Sequence, residues 1–256
     1  MYSKLMSRLL ALLVILFSSM LFVANAVEVP MGAQEVTEGA ESTINASNYA
    51  AQSIEAYAGN ISQLTLRGTG QTKHWQGYYG EVTGTLTLDD AANWTLYDWP
   101  VQEPTGEIYA TVNTTPDWIN VQCFDFATMQ APWEAFYNMT PLDSDGINET
   151  FNMTTHPQVV VGEYTILPNT CPSTFTHVND QFQTEDFVQL LLSDSADRLI
   201  FTTIIENKDL GNGTDPVGYN NVAHDFQLLV AEDGTSSPGG VRNTATTTYY
   251  FYLDIQ

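Results

Sequence analysis

Two apolar runs, Phe187 to Leu192 and Leu199 to Ile205, constrain this chain most, because neither alternates and both are strand-length. Between them stands Asp194-Ser195-Ala196-Asp197, a turn. A run that is apolar on both faces is a strand buried on both sides, so the pair predicts a central hairpin covered on both sides. Other segments alternate with period two, the mark of a half-buried strand. Gly77 to Asp89 sets Val82, Leu86 and Leu88 against Glu81, Thr83, Thr85 and Thr87. Ser62 to Arg67, Glu107 to Val112 and Asp225 to Val230 alternate as well, and Thr246 to Ile255 places Tyr249, Phe251, Leu253 and Ile255 on one face. Asp89 to Asn93 reads as a turn into Trp94 to Trp99, giving an antiparallel meander. With about ten strands and little helix, the expected fold is mostly β, an antiparallel two-sheet sandwich or jelly roll with one or two short helices. A membrane barrel needs a polar lumen face, which the doubly apolar hairpin contradicts.

The helix is expected where the period changes. Thr115-Pro116 resembles an N-cap followed by proline at the first helical position, with Trp118, Gln122, Cys123 and Phe126 at helical spacing. Trp133 to Tyr137 is a second short candidate.

At the start of the chain, Lys4 and Arg8 precede an apolar run from Leu9 to Val23, and Ala24-Asn25-Ala26 offers a small-residue cleavage site. Residues 1–26 therefore read as an export signal, the alternative being an uncleaved anchor helix. Cleavage leaves 230 of the 256 residues and moves the net charge from −23 to −25, since the signal holds two cations and no acid. Residues 27–52 form a small, polar lead, either flexible or a loosely held edge strand, and residues 53–256 form the β domain. A surface so acidic repels phosphate backbones, so nucleic acid is excluded as a partner. No membrane span is expected after signal cleavage, and the protein should work outside the cell or on its surface.

Export shapes the reading of the cysteines and asparagines. Cys123 and Cys171 are the only cysteines, and an even number in an exported chain favours one disulfide. Eight N-x-[ST] sequons begin at Asn45, Asn60, Asn93, Asn113, Asn138, Asn148, Asn152 and Asn212, where roughly three would arise by chance. The excess predicts a glycoprotein, with Asn93, Asn113, Asn148 and Asn212 on loops modified first.

The segment Trp75-Gln76-Gly77-Tyr78-Tyr79-Gly80-Glu81-Val82-Thr83-Gly84, the strand around Gly106 to Ala110, Asp225 to Val230 and the terminal Thr246 to Tyr252 resemble an uncharacterised family of exported archaeal surface proteins. That family carries a W-Q-G-Y-Y-G-x-V-[ST]-G core and a T-T-Y-Y-F-Y terminal strand. The resemblance spans roughly residues 55–256. It implies an archaeal source and a cell-envelope role, and it carries no catalytic residues across.

No metalloprotease, serine-hydrolase or Walker motif is present, and an enzyme is not expected. His74, His156, His177 and His224, with Asp180 and Asp225, would make a metal or acid–base site only if folding converged them. Asp143-Ser144-Asp145-Gly146-Ile147-Asn148-Glu149 invites a Ca²⁺ reading at Asp143 and Asp145, but it lacks the third acidic position and the closing Glu of an EF-hand, so an acidic turn is expected. No cofactor is otherwise implied. Trp75, Tyr78, Tyr79 and Trp94 form either a packed corner or a sugar-stacking platform, with Gln76, Glu81 and His74 as hydroxyl partners. Three functions follow, in order: a non-catalytic structural or adhesive surface protein, self-assembling through the lead; a carbohydrate-binding module taking envelope glycans; and an extracellular hydrolase.

Overall fold

The computed structural model describes residues 29–42, 51–101, 104–206, 215–233 and 246–255. The export signal, Asn45 and Asn212 lie outside the described residues.

Thirteen strands make up most of the regular secondary structure among the described residues: β1 (Met31–Gly32), β2 (Trp75–Gly80), β3 (Gly84–Asp89), β4 (Thr95–Val101), β5 (Gly106–Thr111), β6 (Gln122–Cys123), β7 (Val159–Val161), β8 (Tyr164–Ile166), β9 (Ser173–Phe175), β10 (Val188–Ser193), β11 (Leu199–Ile204), β12 (Phe226–Ala231) and β13 (Tyr250–Ile255). The two α-helices are short, α1 (Phe126–Phe136) and α2 (Ile147–Thr150). The main sheet runs β1-β13-β5-β11-β10-β6, with β9 also on β10, and its pairs are antiparallel. As the doubly apolar runs predict, β10 and β11 pair at its centre and are buried along almost their whole length.

The alternation of side chains sorts this sheet's two faces. Leu191, Phe201, Ala110 and Ile108 join a core closed by Leu228 and Val230 of β12, by Met129 and Tyr137, and by Ile147 and Phe151. Leu190, Leu192, Ile200 and Tyr109 face the other way, onto Trp118, Val159, Val161, Ile166 and Cys171. The first face carries the second layer, the β2–β12 ribbon, tied down by polar contacts. The Thr203 hydroxyl donates to the Gln227 carbonyl at 2.9 Å, and the Leu229 N–H donates to Gln189 Oε1 at 2.8 Å. The β7–β8 hairpin lies over the second face.

The disulfide between Cys123 and Cys171 forms, with Cα atoms 4.8 Å apart, inside the range such a bridge needs. It sits beside His156, whose Nε2 accepts the N–H groups of Thr170 and Cys171, each at 2.9 Å. Nε2 must then be the acceptor, so Nδ1 carries the proton toward the Pro157 carbonyl 2.6 Å away.

Several expectations are corrected. Gly77 to Asp89 is two strands: β2 ends at Gly80, and Val82 turns into the core where its N–H meets Asp225 Oδ2 at 2.6 Å. β3 then leaves to pair with β4 alone, so the meander breaks and Leu86 and Leu88 stay exposed. Ser62 to Arg67 makes no strand. Glu107 to Val112 alternates in sequence, yet β5 is buried on both faces between β11 and β13. The helix expected from Thr115 is only a 3₁₀ turn at Trp118–Asn120. Cys123, paired with Leu192 and bridged to Cys171, holds an extended backbone there, and α1 starts later, where Asp125 caps the Ala127 N–H. Trp133 to Tyr137 belongs to the end of that same helix. In the lead, Met31 and Gly32 pair with Leu253 and Tyr252 of their own chain, so this part is an intramolecular edge strand.

Candidate functional site

The outer face of the β2–β12 ribbon forms one wall of an open groove of about 760 Å³. Its other walls are Phe175 to His177 beyond β9, the turn at Tyr219, and the Glu38 to Ser42 stretch of the lead. Of the four aromatics singled out in the sequence, Trp75, Tyr78 and Tyr79 line it. Trp94 does not: it stands 75% exposed at the start of β4.

These aromatics do different work. The Trp75 ring packs on Phe151 and Phe201, with centroids 5.9 and 6.1 Å away, and its Nε1–H donates to the Asp145 carbonyl at 2.6 Å. Tyr78 meets Phe251 edge-on at 5.6 Å. Both rings are thereby committed to the core, as the packed-corner reading expects. Tyr79 points outward, 46% exposed, and meets Tyr219 edge-on at 5.2 Å and the His224 ring at 4.6 Å. Tyr219 is itself 44% exposed, so the two tyrosines present adjoining apolar ring surface to the groove. Partial burial, and then the contact with Tyr79, raise the Tyr219 hydroxyl above its ordinary range, so the Tyr219 ring works as a neutral phenol.

Gln227 fixes this pair. Buried in β12, it accepts the Tyr219 N–H at 2.9 Å through Oε1, while Nε2 donates to the Thr176 hydroxyl at 2.8 Å and the His177 carbonyl at 3.0 Å. Gly218 lets the turn approach this closely, because a Cβ there would stand 2.5 Å from His224 Cδ2 and 3.2 Å from Gln227 Oε1. The glycines of β2 are not demanded by crowding: a Cβ on Gly77 would lie 3.7 Å from Leu229 Cδ2 and one on Gly80 3.6 Å from Phe226 Cε1, both ordinary contacts. Tyr219 and Gln227 were not singled out from the sequence. Gly218-Tyr219-Asn220-Asn221 has the composition of a turn, with Asn221 at φ 62°, but it was not singled out either and nothing local ties it to Tyr79.

Of the expected hydroxyl partners, Gln76 lines the groove. His74 turns instead to Asp143, with Nε2 3.7 Å from Oδ2, and Glu81 turns to His224 at 3.8 Å. Glu38, Glu41, Gln71 and Gln76 supply polar edges, and the lining holds no Lys or Arg. Such a surface suits an uncharged, hydroxyl-rich ligand and repels anions.

The histidines do not converge. His156 braces the disulfide, His177 borders the groove, and His74 and His224 belong to the two pairs above. Asp143 and Asp145 hold a turn. Asp143 Oδ2 accepts the Thr140 N–H at 2.6 Å, which keeps its carboxyl below the ordinary range, and Asp145 Oδ2 accepts the Thr72 hydroxyl at 2.6 Å. Among the described residues, the carboxylates with metal-like spacing are Glu81, Asp215 and Asp225, whose oxygens lie within 4.8 Å of one another. Asp225 spends one oxygen on the Val82 N–H.

Of the sequons, Asn60, Asn93, Asn138, Asn148 and Asn152 are exposed. Asn113 is not well placed: its Nδ2, the atom a glycan would occupy, is buried. No described helix is long and apolar enough to cross a membrane. The chain matches no family model, no curated protein and no solved structure.

Proposed function

We propose that this chain is an exported, N-glycosylated, non-catalytic protein of an archaeal cell surface, structural or adhesive in role, and that it holds neutral envelope glycans in the groove beside Tyr79 and Tyr219. The observation that carries the reading is the pair of outward tyrosines braced from behind by buried Gln227. Pyranose rings present flat C–H faces that pack on aromatic rings, and their hydroxyls take up amides and carboxylates at the margin. Gln76, Gln71 and Glu41 stand where such margins are needed. The export reading rests on residues 1–26, and the glycoprotein reading on the sequon excess.

Affinity electrophoresis of the mature protein through gels holding neutral or uronic-acid polysaccharides tests this. Retardation by a neutral polysaccharide, lost in Tyr79→Ala and in Tyr219→Ala, is the expected result. Equal mobility in every gel, or variants retarded like the wild type, overturns the glycan reading. Release of new reducing ends from the same polysaccharides overturns the non-catalytic one.

A further inference from the structure

The β3–β4 ribbon carries apolar side chains of the kind the rest of the fold buries. Leu86 pairs with Trp99 and Leu88 with Tyr97, so these four share one face, and each is 45% to 59% exposed. The ribbon joins no other described strand. Two strands alone are marginal in water, and a third with a matching apolar face is what such a ribbon lacks. Upstream, Ser62 to Arg67 alternates as a strand should, yet it forms no ladder, and Leu64 and Leu66 are 54% and 87% exposed.

The two segments complement each other in charge and in edge chemistry. Arg67 closes the alternating segment, whereas the ribbon carries Asp89, Asp90 and Asp98 and no cation. β3 retains every backbone N–H, while β4 contains Pro100, so β3 is the edge able to accept a full ladder. Among the described residues of one chain the two segments form no ladder with each other, and the same segment of a second copy offers the matching apolar face and the opposite charge.

We infer that Ser62 to Arg67 of one molecule adds to β3 of a second copy, laying Leu64 and Leu66 beside Leu86 and Leu88 and bringing Arg67 to the ribbon's aspartates. The contact is head-to-tail, so it propagates or closes into a ring. Tyr79 and Tyr219 take no part in it, so this inference and the glycan reading can fail separately.

Complementation between two crippled variants is the test, read by sedimentation of the full mature chain. Wild type should exceed the monomer mass as concentration rises. L64D/L66D lacks a usable strand and L86D/L88D lacks a usable ribbon; each alone should stay monomeric, and an equimolar mixture should sediment at twice the monomer mass. Near-UV circular dichroism confirms that each variant retains the packed body. Wild type that is monomeric at millimolar concentration, a mixture that stays monomeric, or assembly that survives in either variant overturns the inference. Survival in both would point to exchange of the lead strand β1.

Discussion

Glu107 and Asp254 are cross-strand partners on β5 and β13, and both are buried. The pair lies under the β7–β8 hairpin, where the Val160 N–H meets Glu107 and the Gly162 N–H meets Asp254 Oδ2 at 3.1 Å. Gly106 precedes it at φ +125°, where a Cβ would clash with the Asp254 carbonyl. Burial first, and then the Asp254 charge, push the Glu107 carboxyl from 4.5 to about 8, against the lowering effect of Val160. Each unit is worth about 1.36 kcal/mol. The folded value is the raised one, so this group's contribution is fully present below 4.5 and is lost as pH rises through about 8. Glu107→Gln holds the site neutral and keeps an acceptor for Val160. Relative to wild type, it should add under about 1 kcal/mol at pH 5, about 3 at pH 7 and about 4 at pH 8. Urea unfolding at the three values, with slopes checked for equality, measures this. Parallel pH profiles for the two proteins would refute the argument, because the other acids are common to both.

Other outcomes follow from the same physics. Reducing Cys123–Cys171, or replacing both with Ser, frees a loop of 48 residues and should cost about 4 kcal/mol in denaturant unfolding; an unchanged midpoint would show that the bridge constrains nothing. His156→Ala strands two backbone N–H groups and should cost about 2–4 kcal/mol. Burial lowers the pKa of His156, so its contribution holds above the ordinary value of about 6.5 and falls away as pH drops through the folded one; thermal melts of the variant should therefore lose part of the wild type's decline in mild acid. Peptide mass spectrometry of native material should find glycans at exposed Asn93, Asn138 or Asn148 and none at Asn113; occupancy at Asn113 alone would contradict the placement.

What the sequence disclosed depended on whether the information was local. β10 and β11 were legible because a run apolar on both faces admits few environments, and β13 because four large side chains repeat on one face. The disulfide followed from parity and export. By contrast, the period-two pattern of Leu86 and Leu88 predicts a strand but not what covers it, and here no described element does. The helix start was misplaced because Pro116 gives a local signal, while the constraint that keeps Cys123 extended comes from β10 and Cys171. Tyr79 and Tyr219 stand 140 positions apart, and only the β2–β12 pairing and Gln227 bring them together.

Binding of the labelled mature protein to cell envelopes, before and after periodate cleavage of glycan diols, tests the central claim most directly. The account predicts saturable binding to untreated envelopes that periodate abolishes and that Y79A/Y219A lacks. Binding that survives both the periodate treatment and the double substitution would contradict it.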